Sequence, residues 1–340
     1  MSADGQTTRS GAAGSGRGGA EGATVVGARP RSYYGEPILA APVWTPEVPT
    51  YFFVGGLAGA CAPLTLLASL RGNDVLARRA AGLALAGAVI SPALLISDLG
   101  RPARFLNMLR LFKVTSPMSV GSWILTGFGA AAAASAAREL LGVVPRIGRA
   151  AQAAEVLLGP LLSTYTGALI AQTAVPVWHE ARRELPFVFA AGSLASAGSA
   201  LQLLTPFERA APARRMAIAG AAAELVAVRA MERRLGELAE PYERGRIGAV
   251  ARCAKALTAA GGGLVGVANA PVDRGRGVRP ALFHRRRTVR KHVALAKPGG
   301  ALILAGAALE RWAIFRAGFA SAADPKYVTG PQRARMGTDP

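Results

Sequence analysis

Residues 97–114 read SDLGRPARFLNMLRLFKV, and they interrupt a strongly apolar part of the chain. The eighteen residues from 80 to 97 carry no charge, and a run of that length can cross most of a bilayer core. Asp98 then ends the run, Gly100 and Pro102 favour a turn, and a basic amphipathic stretch follows. This order predicts a helix that leaves a membrane and a second helix that lies in the interface plane.

The charge pattern of the whole chain supports the same interpretation. The 340 residues are 51% hydrophobic and carry a formal net charge of +20. A soluble protein this basic would suggest a nucleic-acid partner. Here the charged residues lie between apolar segments, which is the pattern of a multi-pass membrane protein and indicates membrane lipids as partners instead.

Eight apolar segments predict an all-α fold, a polytopic membrane helix bundle of about eight transmembrane helices. Five uncharged runs have the length that a bilayer requires, at residues 50–70, 80–97, 114–137, 156–178 and 185–207. Three weaker segments lie at 216–228, 256–272 and 298–320, and each could instead be an amphipathic surface helix.

The bundle is expected to occupy residues 41–320. Residues 1–40 are rich in Gly, Ala, Ser and Arg and predict a disordered tail without a cleaved signal, and residues 321–340 form a C-terminal tail. Within the bundle, the basic segment 271–297 predicts a solvated loop, with contact to lipid headgroups or nucleic acid as the alternative. The positive-inside rule places this loop in the cytoplasm and both termini outside the plasma membrane.

The chain has few residues that bind metals. It contains two cysteines, Cys61 and Cys253, and no CxxC pair, so it cannot supply four thiolates to an iron–sulfur cluster. Its three histidines lie outside the five strong runs, which argues against a haem with two axial histidines. We therefore expect no metal to be bound by this chain.

Ionisable residues inside or beside the apolar runs are candidates for function, because they are costly in a membrane. Asp98 needs a cation, since a helix C-terminus disfavours a carboxylate, and Arg101 and Arg104 are within local reach. The alternatives are an ion pair that fixes the turn and a carboxylate at the mouth of a proton path. Glu224 either pairs with Arg229 or faces the interior and relays protons.

Four stretches resemble the NrfD-type family, the membrane subunits of polysulfide reductases. They are SDLGRPARFLNMLRLFKVTSPMSVGSW (97–123), PVWTPEVPTYFFVGGLAGA (42–60), YTGALIAQTAVPVWHEARRELPFVFAAGSLASAGSA (165–200) and DPKYVTGPQRAR (324–335). The resemblance implies an eight-helix bundle that binds quinone or quinol, either menaquinone or ubiquinone. It also implies a ferredoxin-like iron–sulfur partner subunit, which often joins a molybdopterin catalytic subunit of the polysulfide reductase or formate dehydrogenase kind.

The resemblance also points to quinone-binding residues. Related proteins use polar residues at the start of the first helix and a tyrosine in the fourth, places held here by Glu47, Tyr51 and Tyr165. Glu47 and Tyr51 are four residues apart and share one helix face. Each has a structural alternative: stabilisation of the helix N-terminus for Glu47, an aromatic-belt position for Tyr51, and a structural hydrogen bond for Tyr165.

Three functions remain open from the sequence. The chain is a quinone-reactive membrane subunit of a redox complex, a membrane anchor for an iron–sulfur subunit without quinone chemistry, or a proton- or ion-conducting membrane protein. Only the first requires the polar residues of the first and fourth helices to bind a ligand.

Overall fold

The computed structural model describes residues 37–99, 101, 103–270 and 282–330, without the side chains of Arg104 and of residues 282–289. All regular structure in these ranges is helical, which confirms the predicted all-α bundle. Most of the predicted N-terminal tail, residues 1–36, and the end of the C-terminal tail, 331–340, lie outside the described residues.

Eleven α-helices are found in the described part of the chain. They are α1 Glu47–Leu70, α2 Asp74–Asp98, α3 Ala103–Met108, α4 Pro117–Ala136, α5 Pro145–Ala171, α6 Pro176–Glu180, α7 Leu185–Leu204, α8 Ala211–Leu235, α9 Glu240–Glu243, α10 Gly245–Asn269 and α11 Leu282–Ala323. A π-helical turn, Ala137–Leu141, continues α4, and short 3-10 turns cover Ala181–Arg183 and Gly236–Ala239.

Six of the long helices can cross a membrane by length and composition: α1, α2, α4 with its π turn, α5, α7 and α11. They contain the runs 50–70 and 80–97, most of the other three uncharged runs, and the weaker segment at 298–320. The weaker segment at 216–228 lies in α8, and residues 256–269 of the third lie in α10; both helices are 25 residues long but carry several charges. These two helices complete the bundle without meeting the same measure of apolarity.

The long helices alternate in direction, so their ends fall on two faces of the bundle. The Asp98 face holds the start of α1 and the end of α2, where the hydroxyl of Thr45 donates to Asp98. The Asn73 face holds the opposite ends, where the amide of Asn73 donates to the carbonyl oxygen of Arg209, before α8. The candidate site lies towards the Asp98 face.

Small residues bring the central helices into contact. A Cβ atom added to Gly59 of α1 would overlap the carbonyl oxygen of Gly159 on α5, and a Cβ on Gly159 would overlap that of Gly59. Ser163 of α5 also donates to the carbonyl oxygen of Gly56, at 3.0 Å. Such glycine contacts and interhelical hydrogen bonds hold membrane helices together where the hydrophobic effect cannot.

The predicted interface helix after residue 102 is shorter than expected. It ends at Met108, and the chain then turns before α4 begins at Pro117. The hydroxyl of Ser119 accepts from the N–H of Lys113 and donates to the carbonyl oxygen of Leu111, so these backbone groups are bonded outside a helix. Ser116 caps α4, and its side chain accepts from the N–H of Ser119.

The basic segment 271–297 also differs from the predicted loop. Residues 271–281 lie outside the described residues, but α11 begins at Leu282, so residues 282–297 are helical. Pro298 lies inside α11 and does not end it. The last helix is therefore 42 residues long, far longer than the run 298–320 predicts.

Candidate functional site

Tyr51 and Tyr165 form a hydrogen-bonded pair inside the bundle. The hydroxyl of Tyr51 donates to that of Tyr165, and the two oxygens are 2.8 Å apart. Tyr51 is fully buried on the second turn of α1, and Tyr165 lies near the end of the antiparallel α5. The close contact of these helices at Gly59 and Gly159 sets the two rings at hydrogen-bonding distance.

Two further helices shape the surroundings of the pair. A Cβ atom on Gly121 of α4 would overlap the ring of Tyr165, so the missing side chain leaves room for this ring. A Cβ atom on Gly55 would lie 3.2 Å from both the ring of Tyr51 and the hydroxyl of Ser91 on α2. The Ser91 hydroxyl is buried and has no hydrogen-bond partner within the described residues.

The pair can serve one more hydrogen-bond acceptor. A phenol has one O–H to donate and lone pairs to accept with. Within the pair one hydroxyl donates and the other accepts, so one O–H remains for a third group. A neutral ligand with a carbonyl oxygen fits this requirement.

Glu47 begins α1, one helical turn before Tyr51. Its side chain is half-buried, and its Oε2 atom is buried without a hydrogen-bond partner among the described residues. The position at a helix N-terminus suits a carboxylate. Glu47 thus lies one helical turn from Tyr51 on the same helix, on the side of the Asp98 face.

Asp98 is bound by Thr45, a partner that the sequence does not predict, and its pairing with Arg104 stays a prediction. One of its carboxylate oxygens accepts from the backbone N–H of Thr45 at 3.2 Å and from the Thr45 hydroxyl at 2.5 Å. Arg101 is exposed and forms no ion pair with Asp98, and the side chain of Arg104 lies outside the described part. Asp98 therefore ties the end of α2 to the segment that leads into α1.

Glu224 lies in the interior, as one of its two predicted alternatives states, but its partner is remote. Its Oε1 atom is 3.2 Å from Nη1 of Arg311 on α11, and both side chains are almost fully buried. Arg229, the predicted local partner, is exposed. Arg311 also donates to the carbonyl oxygen of Phe189 at 2.8 Å, and its guanidinium lies 4.5 Å from the centre of that ring.

Sequence reasoning missed Glu310 and Glu155, two buried carboxylates with unpartnered oxygens. Glu310 is 3% exposed, next to Arg311, and one of its oxygens has no partner among the described residues. Glu155 of α5 is fully buried, and neither of its oxygens has a described partner. The signals were present: Glu310 and Arg311 interrupt an apolar run, and Gln152, Glu155, Ser163 and Thr166 recur on one face of α5.

The tyrosine pair and Glu224 are separate sites. Glu47, Tyr51 and Tyr165 belong to α1 and α5, whereas Glu224 and Arg311 join α8 to α11. Across the described residues, no group of three or more His, Cys, Asp or Glu side chains is arranged to hold a metal ion. The free O–H of the tyrosine pair and the unpartnered Ser91 hydroxyl suit a ligand that forms hydrogen bonds.

The chain belongs to the polysulfide reductase family of the NrfD type, whose family model matches residues 31–323. No curated protein matches the chain. Membership of this family, with six helices that can cross a membrane, makes the chain an integral membrane protein and a membrane subunit of polysulfide reductase-like complexes. The match covers the tyrosine pair, Asp98 and the Glu224–Arg311 pair alike.

Proposed function

We propose that this chain is the quinone-reactive membrane subunit of a respiratory-type redox complex in the plasma membrane, with menaquinone or ubiquinone bound at the tyrosine pair. One observation supports this most directly: Tyr51 and Tyr165 are hydrogen-bonded to each other and leave one O–H for a ligand. The unpartnered oxygens of Glu47 and Ser91 add a carboxyl and a hydroxyl to the same region.

A bound quinone would accept two electrons together with two protons. The residues of this chain then have three tasks: to bind a carbonyl oxygen, to orient the ring and to hold a proton close by. The phenol pair performs the first two, since its geometry is fixed by four helices. Glu47 takes up or passes on a proton at its Oε2 atom, which has no hydrogen-bond partner among the described residues.

Asp98 and Glu224 are the proposed proton-path residues. Asp98 lies at the end of α2 and accepts hydrogen bonds from Thr45. Thr45 is two residues before Glu47, in the segment that leads into α1. Glu224 lies deep in the bundle, with its second oxygen free of partners in the described residues. Intramembrane carboxylates with a fixed cation are common in proton relays, and the Glu224–Arg311 pair has this form.

A ferredoxin-like iron–sulfur subunit is the proposed electron partner, together with a molybdopterin catalytic subunit. Its binding surface is proposed on the Asp98 face, because the tyrosine pair lies on that side. The segment around α3 supports this placement: Leu106, Leu111, Phe112 and Val114 are 56–75% exposed. Apolar side chains so close together at a membrane surface are typical of a binding surface for protein or lipid.

The test uses the purified complex with the iron–sulfur partner reduced chemically. Tyr165→Phe removes one hydroxyl and should weaken binding of a quinone analogue about three- to tenfold, the effect of one neutral hydrogen bond. Glu47→Gln should keep binding and slow reduction of the analogue, with a changed pH dependence. Binding is followed by titration and reduction by absorbance.

The control is Tyr327→Phe, which also removes a bonded phenol. The hydroxyl of Tyr327, after the end of α11, donates to Oε2 of Glu240 on α9, and the two oxygens are 3.2 Å apart. It should leave both binding and reduction at wild-type levels. If Tyr165→Phe and Glu47→Gln also match wild type across pH, these residues do not form the site. The chain would then be an anchor for the iron–sulfur subunit without quinone chemistry.

A further inference from the structure

Two adjoining cavities open on the Asn73 face, away from the tyrosine pair. The apolar groove, of about 560 Å³, runs along α2. It is lined by Val75, Gly82, Leu83, Ala86, Leu140 and Leu204, with Arg78 and Arg79 as its two charged residues. The basic cavity, of about 380 Å³, lies between the end of α7, the start of α8 and α11. Arg79 and Leu204 line both, so the two cavities are continuous.

The basic cavity gathers positive charge from three helices. Arg79 of α2, Arg214 of α8 and Lys297 of α11 line it, and Glu208 is the one carboxylate among its described lining residues. None of these cations forms a salt bridge within the described residues. The excess of positive charge favours an anionic ligand.

One of the cations is held in place before any ligand binds. The guanidinium of Arg214 donates to the carbonyl oxygen of Phe207 at 2.6 Å and to Asn269 at 3.3 Å. It also lies 3.8 Å from the centre of the Phe207 ring. A guanidinium fixed in this way has further N–H donors whose direction is set, which favours recognition of a phosphate group.

The same cavity contains buried polar atoms without partners. Gln202 is 6% exposed, and neither its Nε2 nor its Oε1 atom is hydrogen-bonded among the described residues. The hydroxyl of Thr205, 5% exposed, also has no partner there. Buried polar groups are normally hydrogen-bonded, so these atoms indicate a ligand with both acceptors and donors.

We propose that the two cavities together bind one anionic glycerophospholipid. Its phosphate would lie among Arg79, Arg214 and Lys297, and a headgroup hydroxyl would donate to Oε1 of Gln202. An acyl chain would follow the apolar groove along α2, where the residues at 75, 79, 82 and 86 share one helix face. The groove distinguishes a lipid from free phosphate, which would fill only the basic cavity.

The experiment measures binding of phosphatidylglycerol, phosphatidylcholine and glycerol 3-phosphate to the detergent-purified, delipidated full-length protein, by native mass spectrometry. Wild type should bind phosphatidylglycerol more tightly than the other two. Arg79→Gln with Lys297→Gln should weaken this binding about 25-fold, since each cation near a membrane surface contributes about fivefold. Arg215→Gln, on an exposed residue beside Arg214 that does not line the cavity, is the control and should have no effect.

A second variant tests the groove separately. A Cβ atom on Gly82 meets no atom within 4 Å, so Gly82→Leu is accommodated at Cβ and extends its side chain into the groove that Gly82 lines. It should weaken phosphatidylglycerol binding at least tenfold and leave glycerol 3-phosphate unaffected. Gly129→Leu, on α4 and equally free of neighbours, is the matched control.

Three outcomes would overturn the proposal. Equal affinity for phosphatidylglycerol and phosphatidylcholine would remove the role of the cations. Equal affinity for phosphatidylglycerol and glycerol 3-phosphate would indicate a site for soluble phosphate. Displacement of phosphatidylglycerol by an uncharged quinone analogue would assign the cavities to that ligand instead.

Discussion

The tyrosine pair and the Glu224–Arg311 pair both connect helices inside the bundle, the first through neutral groups and the second through charged ones. Each joins two helices through polar groups buried inside the bundle, at 2.8 Å and 3.2 Å respectively. The tyrosines are neutral, sit beside glycine and serine, and leave a donor unused. The ion pair carries full charges, and its guanidinium is also bound by the carbonyl oxygen and ring of Phe189.

The difference in charge suggests different roles: the neutral tyrosine pair suits ligand binding, and the Glu224–Arg311 ion pair suits contact between helices. Burying two uncharged phenols that bond to each other costs less free energy than burying two charges. The O–H that the pair does not use is therefore available to a third group. Burying an ion pair costs several kcal/mol per ion unless further contacts compensate. The contacts of Arg311 therefore fix α7, α8 and α11 together, while the phenols remain available for binding.

The ion pair gives the largest expected effect. Arg311→Met leaves Glu224 buried without its ion-pair partner and close to the buried Glu310, and loss of one partner of a buried pair typically costs about 3–5 kcal/mol. We expect a sharply reduced amount of folded protein in membranes and a lower Tm after extraction. Adding Glu224→Gln should restore part of the loss, since it removes one of the two carboxylates.

Arg316→Met is the matched control on the same helix. Arg316 is exposed, with its guanidinium 5.6 Å from the centre of the Phe319 ring. Arg316→Met should lower Tm and the amount of folded protein far less than Arg311→Met does. Equal losses from the two variants would show that the Glu224–Arg311 pair contributes nothing beyond an exposed arginine.

The next effect concerns the space beside Tyr165. Gly121→Ala places a methyl group where the ring lies, and overpacking of this kind costs about 1–3 kcal/mol. The ring must move, so binding of a quinone analogue should weaken as well. Gly129→Ala on the same helix meets no neighbour and should leave both Tm and binding unchanged. If Gly121→Ala bound the analogue normally, the position of the Tyr165 ring would not matter for the site.

A smaller effect is expected at Asp98. Asp98→Asn keeps an acceptor for Thr45 but removes the charge, so the bond should weaken by about 1 kcal/mol. We expect nearly normal assembly on blue-native gels and slower reduction of a quinone analogue. Arg101→Gln should change neither, because Arg101 does not pair with Asp98. Normal assembly together with normal rates for Asp98→Asn would remove Asp98 from the proposed proton path.

The smallest effect is expected at the ion pair between Glu240 and Lys326, which lies nearer the surface than the Glu224–Arg311 pair. A hydrogen bond from Lys326 is the main reason why the pKa of Glu240 lies below its usual value of 4.5. A carboxylate with a lowered pKa stabilises the folded protein above its unfolded pKa, and this contribution is lost as the pH falls through the folded pKa. Glu240→Gln should therefore lower Tm slightly at pH 7 and not at pH values well below 4.5.

Glu237→Gln provides the comparison for that prediction. Glu237 is exposed nearby and has no salt bridge in the described part of the chain. Its Tm should equal that of wild type at both pH values. A difference at Glu240 that persisted at low pH would come from something other than the ion pair with Lys326.

The bundle could be predicted from the sequence because its signal is local. Uncharged runs of spanning length mark α1, α2, α4, α5 and α7 without any knowledge of their neighbours. The extents of α3 and α11 could not be predicted, because other contacts decide them. After α3, the hydroxyl of Ser119 forms hydrogen bonds with the backbone of Leu111 and Lys113. Residues 282–297, whose basic composition predicts a solvated loop, form the first part of α11.

The candidate site divides in the same way. Glu47, Tyr51 and Tyr165 could be placed by resemblance and by helical spacing. The partners of Asp98 and Glu224 could not, since Thr45 is 53 residues and Arg311 is 87 residues away in sequence. Local spacing favoured Arg101 and Arg104 for Asp98 and Arg229 for Glu224, whereas the packing of whole helices brings Thr45 and Arg311 into contact with them.

The length of α11 has a consequence for the outside of the membrane. A helix of 42 residues extends for about 63 Å, and a bilayer with its headgroups is only about 40–45 Å thick. Even a helix tilted by about 40° would not fit within it. If Lys297 lies at headgroup depth, the residues before it rise about 20 Å into the water on the Asn73 face, as a positively charged rod. Any protein that approaches this face meets that rod before it reaches the lipid.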